Sequence, residues 1–316
     1  GTFQSVGDSS FDGKIDIKPN SEVLILSSSL KLDGGGAKLS SIYSNNISDM
    51  SASFVRDLAV GASTPSNLQN NMGIFFSPDG RRMYLTDLSN EPEQWSLSTP
   101  WDISTGTRQG EVSNLAGASY SSYVAFSDDG LTMFAFSTHN SSKIVEQLSL
   151  TRPWDILHTA PSNVKQYTLE GLPGSGADGG FWFGKGGTRM FVVDNTTGKN
   201  VVQYNMSGSW DIGTISGVSG RTLLFTSDGG SHGPADANPA DIAFNGAGTV
   251  MYILGRSNMV SLYELGNAWE ISSAQYIKDL PILAKDTECR GLYVSPDQKN
   301  LYIAGASLAS GPGKEF

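Results

Sequence analysis

The stretch Gly73-Ile74-Phe75-Phe76-Ser77-Pro78-Asp79-Gly80-Arg81-Arg82-Met83-Tyr84 decides how this chain is read, because it returns four more times. Tyr123-Val124-Ala125-Phe126-Ser127-Asp128-Asp129-Gly130 leads to Met133-Phe134, and Gly180-Phe181-Trp182-Phe183-Gly184-Lys185-Gly186-Gly187 leads to Met190-Phe191. The remaining copies are Asp241-Ile242-Ala243-Phe244-Asn245-Gly246-Ala247-Gly248 before Met251-Tyr252, and Gly291-Leu292-Tyr293-Val294-Ser295-Pro296-Asp297-Gln298 before Leu301-Tyr302. A second phrase follows in four of the units: Trp101-Asp102-Ile103, Trp154-Asp155-Ile156, Trp210-Asp211-Ile212 and Trp269-Glu270-Ile271. Upstream of these lie Gln94-Trp95-Ser96-Leu97, Gln147-Leu148-Ser149-Leu150, Gln203-Tyr204-Asn205-Met206 and Leu262-Tyr263-Glu264-Leu265.

A period of roughly 50–60 residues, built of short β-type runs between Asp-Gly, Pro-Asp and Gly-Gly turns, marks a radial array of four-stranded sheets. Helical periodicity is absent. One such sheet cannot bury both of its faces, so neighbouring units must stack around an axis. The predicted fold is all-β: a five-bladed β-propeller over residues 52–316 with a small N-terminal β segment over residues 1–51. The fifth unit stops after its second strand, while Phe54-Val55-Arg56-Asp57-Leu58 parallels Tyr276-Ile277-Lys278-Asp279-Leu280. Residues 52–60 are therefore expected to close the ring as the outer strand of the last blade, which removes unpaired edges. The third strand of that blade is left open: absent, begun by Lys314-Glu315-Phe316, or supplied by another chain.

Composition limits the class. The 316 residues include 37 glycines and carry a net charge of −10, and no apolar run approaches the length of a membrane span. That balance argues against a nucleic-acid binder, which draws its affinity from clustered Lys and Arg. Cys289 is the single cysteine, so no intramolecular disulfide framework exists. No signal-peptide pattern opens the chain, which begins with Gly1. Residues 1–51 lie outside the repeat. Alternation at Ile15, Ile17 and at Leu30, Leu32 predicts short strands that attach to a partner, to copies of themselves or to the propeller.

The repeated residues read as structural. Asp79, Asp129 and Asp297 sit where turn carboxylates bond nearby amides, and the recurring Trp residues read as packing between blades. Asp102, Asp155, Asp211 and Glu270 read as turn or capping groups. The spacing of a calcium loop is missing, as are a nucleophile elbow and a phosphate-binding loop. No catalytic residue, metal site or cofactor is assigned, although two carboxylates meeting across the channel would make a glycosidase pair. What varies between units is the loop between second and third strands and the connection between fourth and first. Variable loops on one face of a rigid scaffold are where recognition usually resides. The candidate ligand-binding residues are Asp87, Asn90, His139, Asn140, Asp194, Asn195, His232, Asp236 and Arg256.

Ser77-Pro78-Asp79-Gly80 to Met83-Tyr84, followed by Ser96-Leu97-Ser98-Thr99-Pro100-Trp101-Asp102-Ile103-Ser104, resembles the propeller repeat of structural proteins in tailed bacteriophages, marine ones in particular, and of some bacterial surface proteins. The phrases Asp12-Gly13-Lys14-Ile15 and Leu30-Lys31-Leu32-Asp33-Gly34-Gly35 resemble the short β repeats of phage fibres and baseplates. Gly184-Lys185-Gly186-Gly187, Asn245-Gly246-Ala247-Gly248 and Gln298 depart from the turn pattern. The resemblance implies a non-enzymatic virion component of the tail, fibre, baseplate or capsid decoration. Residues 1–51 would attach it as a homo-oligomer, a trimer by analogy with fibres, and to other virion proteins. The propeller would face a host-surface glycan or protein, without nucleic-acid contact or membrane insertion. The alternatives are a lectin-like receptor-binding module and a propeller hydrolase acting on a polysaccharide or lactone.

Overall fold

The computed structural model describes residues 56–57, 71–87, 90–112, 115, 122–137, 143–158, 165–170, 172, 179–195, 199–223, 238–256, 258–282, 289–305 and 314–315. The chain divides into two compact units, Gly1–Asn46 and Ile47–Phe316. All described residues belong to the second, and the N-terminal β segment expected from the sequence lies outside them.

The second unit is all-β with a β-propeller arrangement, and its strands form five sheets of four. Apart from β1 (Arg56–Asp57), the chain runs through the sheets in order. The first holds β2 (Asn71–Phe76), β3 (Arg82–Asp87), β4 (Glu93–Leu97) and β5 (Gly106–Glu111). The second holds β6 (Tyr123–Phe126), β7 (Thr132–Ser137), β8 (Ile144–Ser149) and β9 (Lys165–Thr168). The third holds β10 (Phe181–Gly184), β11 (Arg189–Asp194), β12 (Asn200–Met206) and β13 (Ile215–Leu223). The fourth holds β14 (Pro239–Phe244), β15 (Val250–Gly255), β16 (Met259–Leu265) and β17 (Ala274–Pro281). The last holds β18 (Cys289–Val294), β19 (Leu301–Gly305) and β20 (Lys314–Glu315), with β1 on its outer edge.

Every neighbouring pair is antiparallel, and in the last sheet Arg56 stands opposite Glu315 and Asp57 opposite Lys314. The first strands touch in a closed cycle, β2 to β6 to β10 to β14 to β18 and back to β2. Burial follows that geometry. β6 and β14 are buried at every position, while β5 alternates half-buried and exposed because only one of its faces meets protein.

The recurring turn explains its own sequence. In the first sheet the Ser77 hydroxyl donates to Asp79 at 2.6 Å, and Asp79 accepts the Arg81 amide at 3.0 Å. The Arg82 amide donates to the Ser77 oxygen at 3.0 Å. Ser127 with Asp129, and Ser295 with Asp297, repeat this bonding. The Ser127 hydroxyl and the Leu131 amide accordingly hold the Asp129 carboxyl below its ordinary value.

The glycine ending the turn has a second task. Gly80 has φ 66°, and a Cβ there would lie 2.3 Å from the Trp101 ring. The Trp101 amide donates to the Gly80 carbonyl at 2.9 Å, and Trp154 on Gly130, Trp210 on Gly187 and Trp269 on Gly248 do the same. Each Trp thus folds back over the glycine of its own sheet, itself at positive φ between 58° and 67°. Among the described residues the last sheet contributes no such ring, and Gln298 takes the glycine's place at φ 58°. Its side-chain oxygen accepts the Tyr252 hydroxyl at 3.2 Å instead.

Adjacent sheets are stapled through the two repeated phrases. The Ile156 amide donates to Gln94 at 3.0 Å, the Ile212 amide to Gln147 at 3.0 Å and the Ile271 amide to Gln203 at 3.3 Å. The acidic residue before each isoleucine behaves as the capping reading expects in three copies: Asp102 accepts from Ser104, Asp155 from Leu157 and Asp211 from Gly213. Glu270 departs from it, making no cap and binding Arg189 of the preceding sheet instead.

Candidate functional site

Five first strands meeting at an axis leave little room between them. At the mid-strand position three units supply Phe75, Trp182 and Tyr293, where the other two supply Ala125 and Ala243. The three rings lie 5.2–6.2 Å apart, centroid to centroid, and plug the axis. Two residues earlier along the repeat the units read Gly73, Tyr123, Gly180, Asp241 and Gly291. Here Tyr123 crosses the axis, its hydroxyl donating toward the Ala240 and Arg290 carbonyls at 3.1 and 3.2 Å. Asp241 accepts the Ile242 amide at 2.8 Å and the Leu292 amide at 2.7 Å. A Cβ on Gly180 would stand 1.6 Å from the Asp241 carboxyl. Small neighbours are what let that carboxyl fit, and its burial pushes its pKa well above the ordinary value.

The space left beside Tyr123 and Asp241 is about 10 Å3, near the lower limit for a single water. A glycosidase pair across the channel, left open by the sequence, is therefore not formed in this cavity. Asp241 is the single carboxylate lining this axial cavity.

The loop residues selected from the sequence are dispersed. Asp87 ends β3, Asp194 ends β11 and Arg256 follows β15, all at the end of the sheets where the first strands begin. Asp87 and Asp194 are buried, and Asn90 donates to Asp87 at 3.1 Å. Asn195 is half-buried beside Asp194. His139, Asn140, His232 and Asp236 lie outside the described residues. Among the described residues no three His, Cys, Asp or Glu side chains are grouped to hold a metal ion, and no helix is long and apolar enough to cross a membrane.

At this same end lie carboxylates of the first and second sheets that the sequence reading did not select as site residues. Glu93 and Glu111 are cross-strand partners, an arrangement that repels unless a cation intervenes. Arg108 supplies one, donating to Glu93 at 2.8 Å and to Glu111 at 3.0 Å. The Trp95 indole also donates to Glu93 at 3.1 Å. Glu146 on β8 is fully buried and accepts one bond, from Gln166 at 2.5 Å. Its other oxygen, and one oxygen of Glu91, are buried without a hydrogen bond. Burial, followed by the charges of Glu111 and Glu146, raises the Glu91 carboxyl to about 7. A carboxyl poised at neutrality beside a second carboxylate is a recurrent mark of acid–base sites.

No family model and no curated protein matches the chain. Solved structures do. A gluconolactonase from Xanthomonas campestris is 10% identical over 78% of this chain and 85% of its own, with a TM-score of 0.48. Regucalcin, a calcium-binding protein from Agrobacterium tumefaciens, is 12% identical over 79% and 90%, with a TM-score of 0.47. A protein from Bacteroides uniformis assigned as a 6-phosphogluconolactonase is 16% identical over 78% of this chain and 66% of its own, with a TM-score of 0.45. The expectation of a non-enzymatic phage virion component is corrected here. The named structures are lactonases and a calcium-binding protein rather than particle proteins, and the absence of a catalytic sequence motif does not make a propeller inert. Likeness at this level concerns the fold alone, so any chemistry must come from this chain's own side chains.

Proposed function

We propose that the five sheets act as one five-bladed ring and that the seam between its first two blades is a hydrolytic site for a neutral, sugar-derived glycoside or lactone. The observation that carries this reading is the Glu91–Glu146 arrangement. Both side chains hold a buried oxygen without a hydrogen-bond partner, and Glu91 titrates near 7 because of burial and its acidic neighbours. Glu91 then serves as the general acid, passing its proton to the leaving-group oxygen. Glu146, oriented by Gln166, takes the proton of the attacking water. The net charge of −10 disfavours polyanionic substrates.

The test is hydrolysis of a panel of neutral polysaccharides and aldonolactones by the intact chain, followed by reducing-end release and by acid release. Wild-type activity that falls as pH rises through about 7, and a loss of about 100-fold or more in Glu91→Gln and Glu146→Gln, are expected. Turnover that both variants retain would overturn the assignment. Self-association through residues 1–51 stands as a separate proposal, and a monomeric intact chain in light scattering would refute it.

A further inference from the structure

The opposite end of the ring carries a different feature. Around the axis, between the first turns of the sheets, lies a cavity of about 180 Å3 whose lining includes Phe75, Trp154, Trp182, Trp210, Tyr293 and Asp128. This is smaller than the roughly 300 Å3 from which pockets for drug-sized ligands begin. The floor is the aromatic plug itself. Its walls are rings held in place by other rings, with Trp154 5.2 Å from Phe126 and Trp210 5.6 Å from Phe183. The recurring tryptophans were read as packing alone, and they do pack, on their glycines; two of them also present ring surface to this cavity.

The polar content of the lining narrows the occupant. Its side-chain polar groups are the indole N–H groups, the Tyr293 hydroxyl, Ser127 and Asp128. The Ser127 hydroxyl is already engaged, donating to Asp129 at 2.6 Å and accepting the Thr132 amide at 3.0 Å. A sugar needs several convergent hydrogen-bond partners for its hydroxyls, and most of this lining is aromatic ring surface. Asp128 is the one charged residue of the lining and is exposed at its mouth. No lysine or arginine shares the lining. Aromatic faces carry negative potential and attract cations whose centre comes within about 6 Å of the ring. A cation that neither donates nor accepts hydrogen bonds enters such a space without leaving a polar group unsatisfied.

We propose that this cavity is an aromatic cage for a small quaternary ammonium ion, with Phe75, Trp182 and Tyr293 beneath the ion, Trp154 and Trp210 beside it, and Asp128 supplying the counter-charge. Entry from solvent is favoured by the net charge of −10. The site is independent of the carboxylate seam, which lies at the other end of the strands.

Calorimetric titration of the intact chain with choline, and with its neutral carbon isostere 3,3-dimethylbutan-1-ol, tests this. Saturable one-to-one binding of choline with Kd on the order of 1 mM or tighter is expected, with the isostere weaker by roughly 5-fold or more. Asp128→Asn, at an exposed position, should weaken choline about 3- to 10-fold and leave the isostere unchanged. Trp210→Leu should weaken both. Equal affinity for choline and the isostere would reduce the cavity to a plain apolar hole and overturn the proposal. So would an Asp128→Asn variant with unaltered choline affinity, or an absence of saturable choline binding.

Discussion

The Tyr302 hydroxyl donates a 2.9 Å hydrogen bond to the main-chain carbonyl of Trp101, across 201 positions of sequence. It joins the second strand of the last sheet to the third-to-fourth turn of the first, where the ring closes. One step further round, Tyr84 bonds the Trp154 carbonyl in the same way. The Tyr302 ring is also held by Phe76, centroid to centroid 4.4 Å away, so Tyr302→Phe keeps the packing and removes the bond to Trp101 together with the long 3.5 Å one accepted from Asn300. The expected loss is about 1 kcal/mol. It should appear as a lower urea midpoint with an unchanged slope. An unchanged midpoint would mean that the closure is carried by the rings without the hydroxyl.

Two adjacent glycines separate backbone conformation from packing. Gly186 and Gly187 have φ of 62° and 73°, yet a Cβ on Gly186 meets nothing within 4 Å while one on Gly187 would lie 2.2 Å from the Trp210 ring. Gly186→Ala should therefore cost about 1 kcal/mol, the price of a left-handed conformation for a residue with a Cβ. Gly187→Ala adds the displacement of a packed indole and should cost about 2–4 kcal/mol in all. Denaturation followed by tryptophan fluorescence measures both. Equal losses would show that Trp210 yields freely, contrary to its contacts with Phe134 and Phe183.

This contrast marks how far the sequence could be read. A glycine recurring ahead of a tryptophan in four of the units reveals a turn, because the constraint repeats within each unit. The staple from Gln94 to Ile156 is legible only afterwards, since donor and acceptor belong to different units and each has a local explanation as strand or turn. Glu91 and Glu146 escaped for the same reason, arriving at their seam from neighbouring sheets. Asp241 was closer to visible: it interrupts a position where three units carry glycine, but an aligned column does not reveal that its carboxyl is caught between the Ile242 and Leu292 amides. Loop residues chosen for their variability fared differently. Asp87 is fully buried and held by Asn90, so the side chain is engaged in its own loop rather than offered to solvent.

Glu91 links the proposed chemistry to a stability measurement that needs no substrate. Its carboxyl titrates near 7 in the folded chain against an ordinary 4.5, raised by burial and then by Glu111 and Glu146. Between those values the folded chain binds more protons than the unfolded one, so stability falls as pH rises. Glu91→Gln removes the ionisation. The variant should match the wild type at pH 4 and exceed it above pH 7, with the gap opening between about 4.5 and 7. Glu91 is only half-buried, and solvent screening limits the gain to about 1 kcal/mol. Urea midpoints of both proteins at pH 4, 6 and 8 would measure it. A gap of the same size at every pH would place the effect in packing instead of charge, and would leave Glu91 without the poised proton that its role as general acid requires.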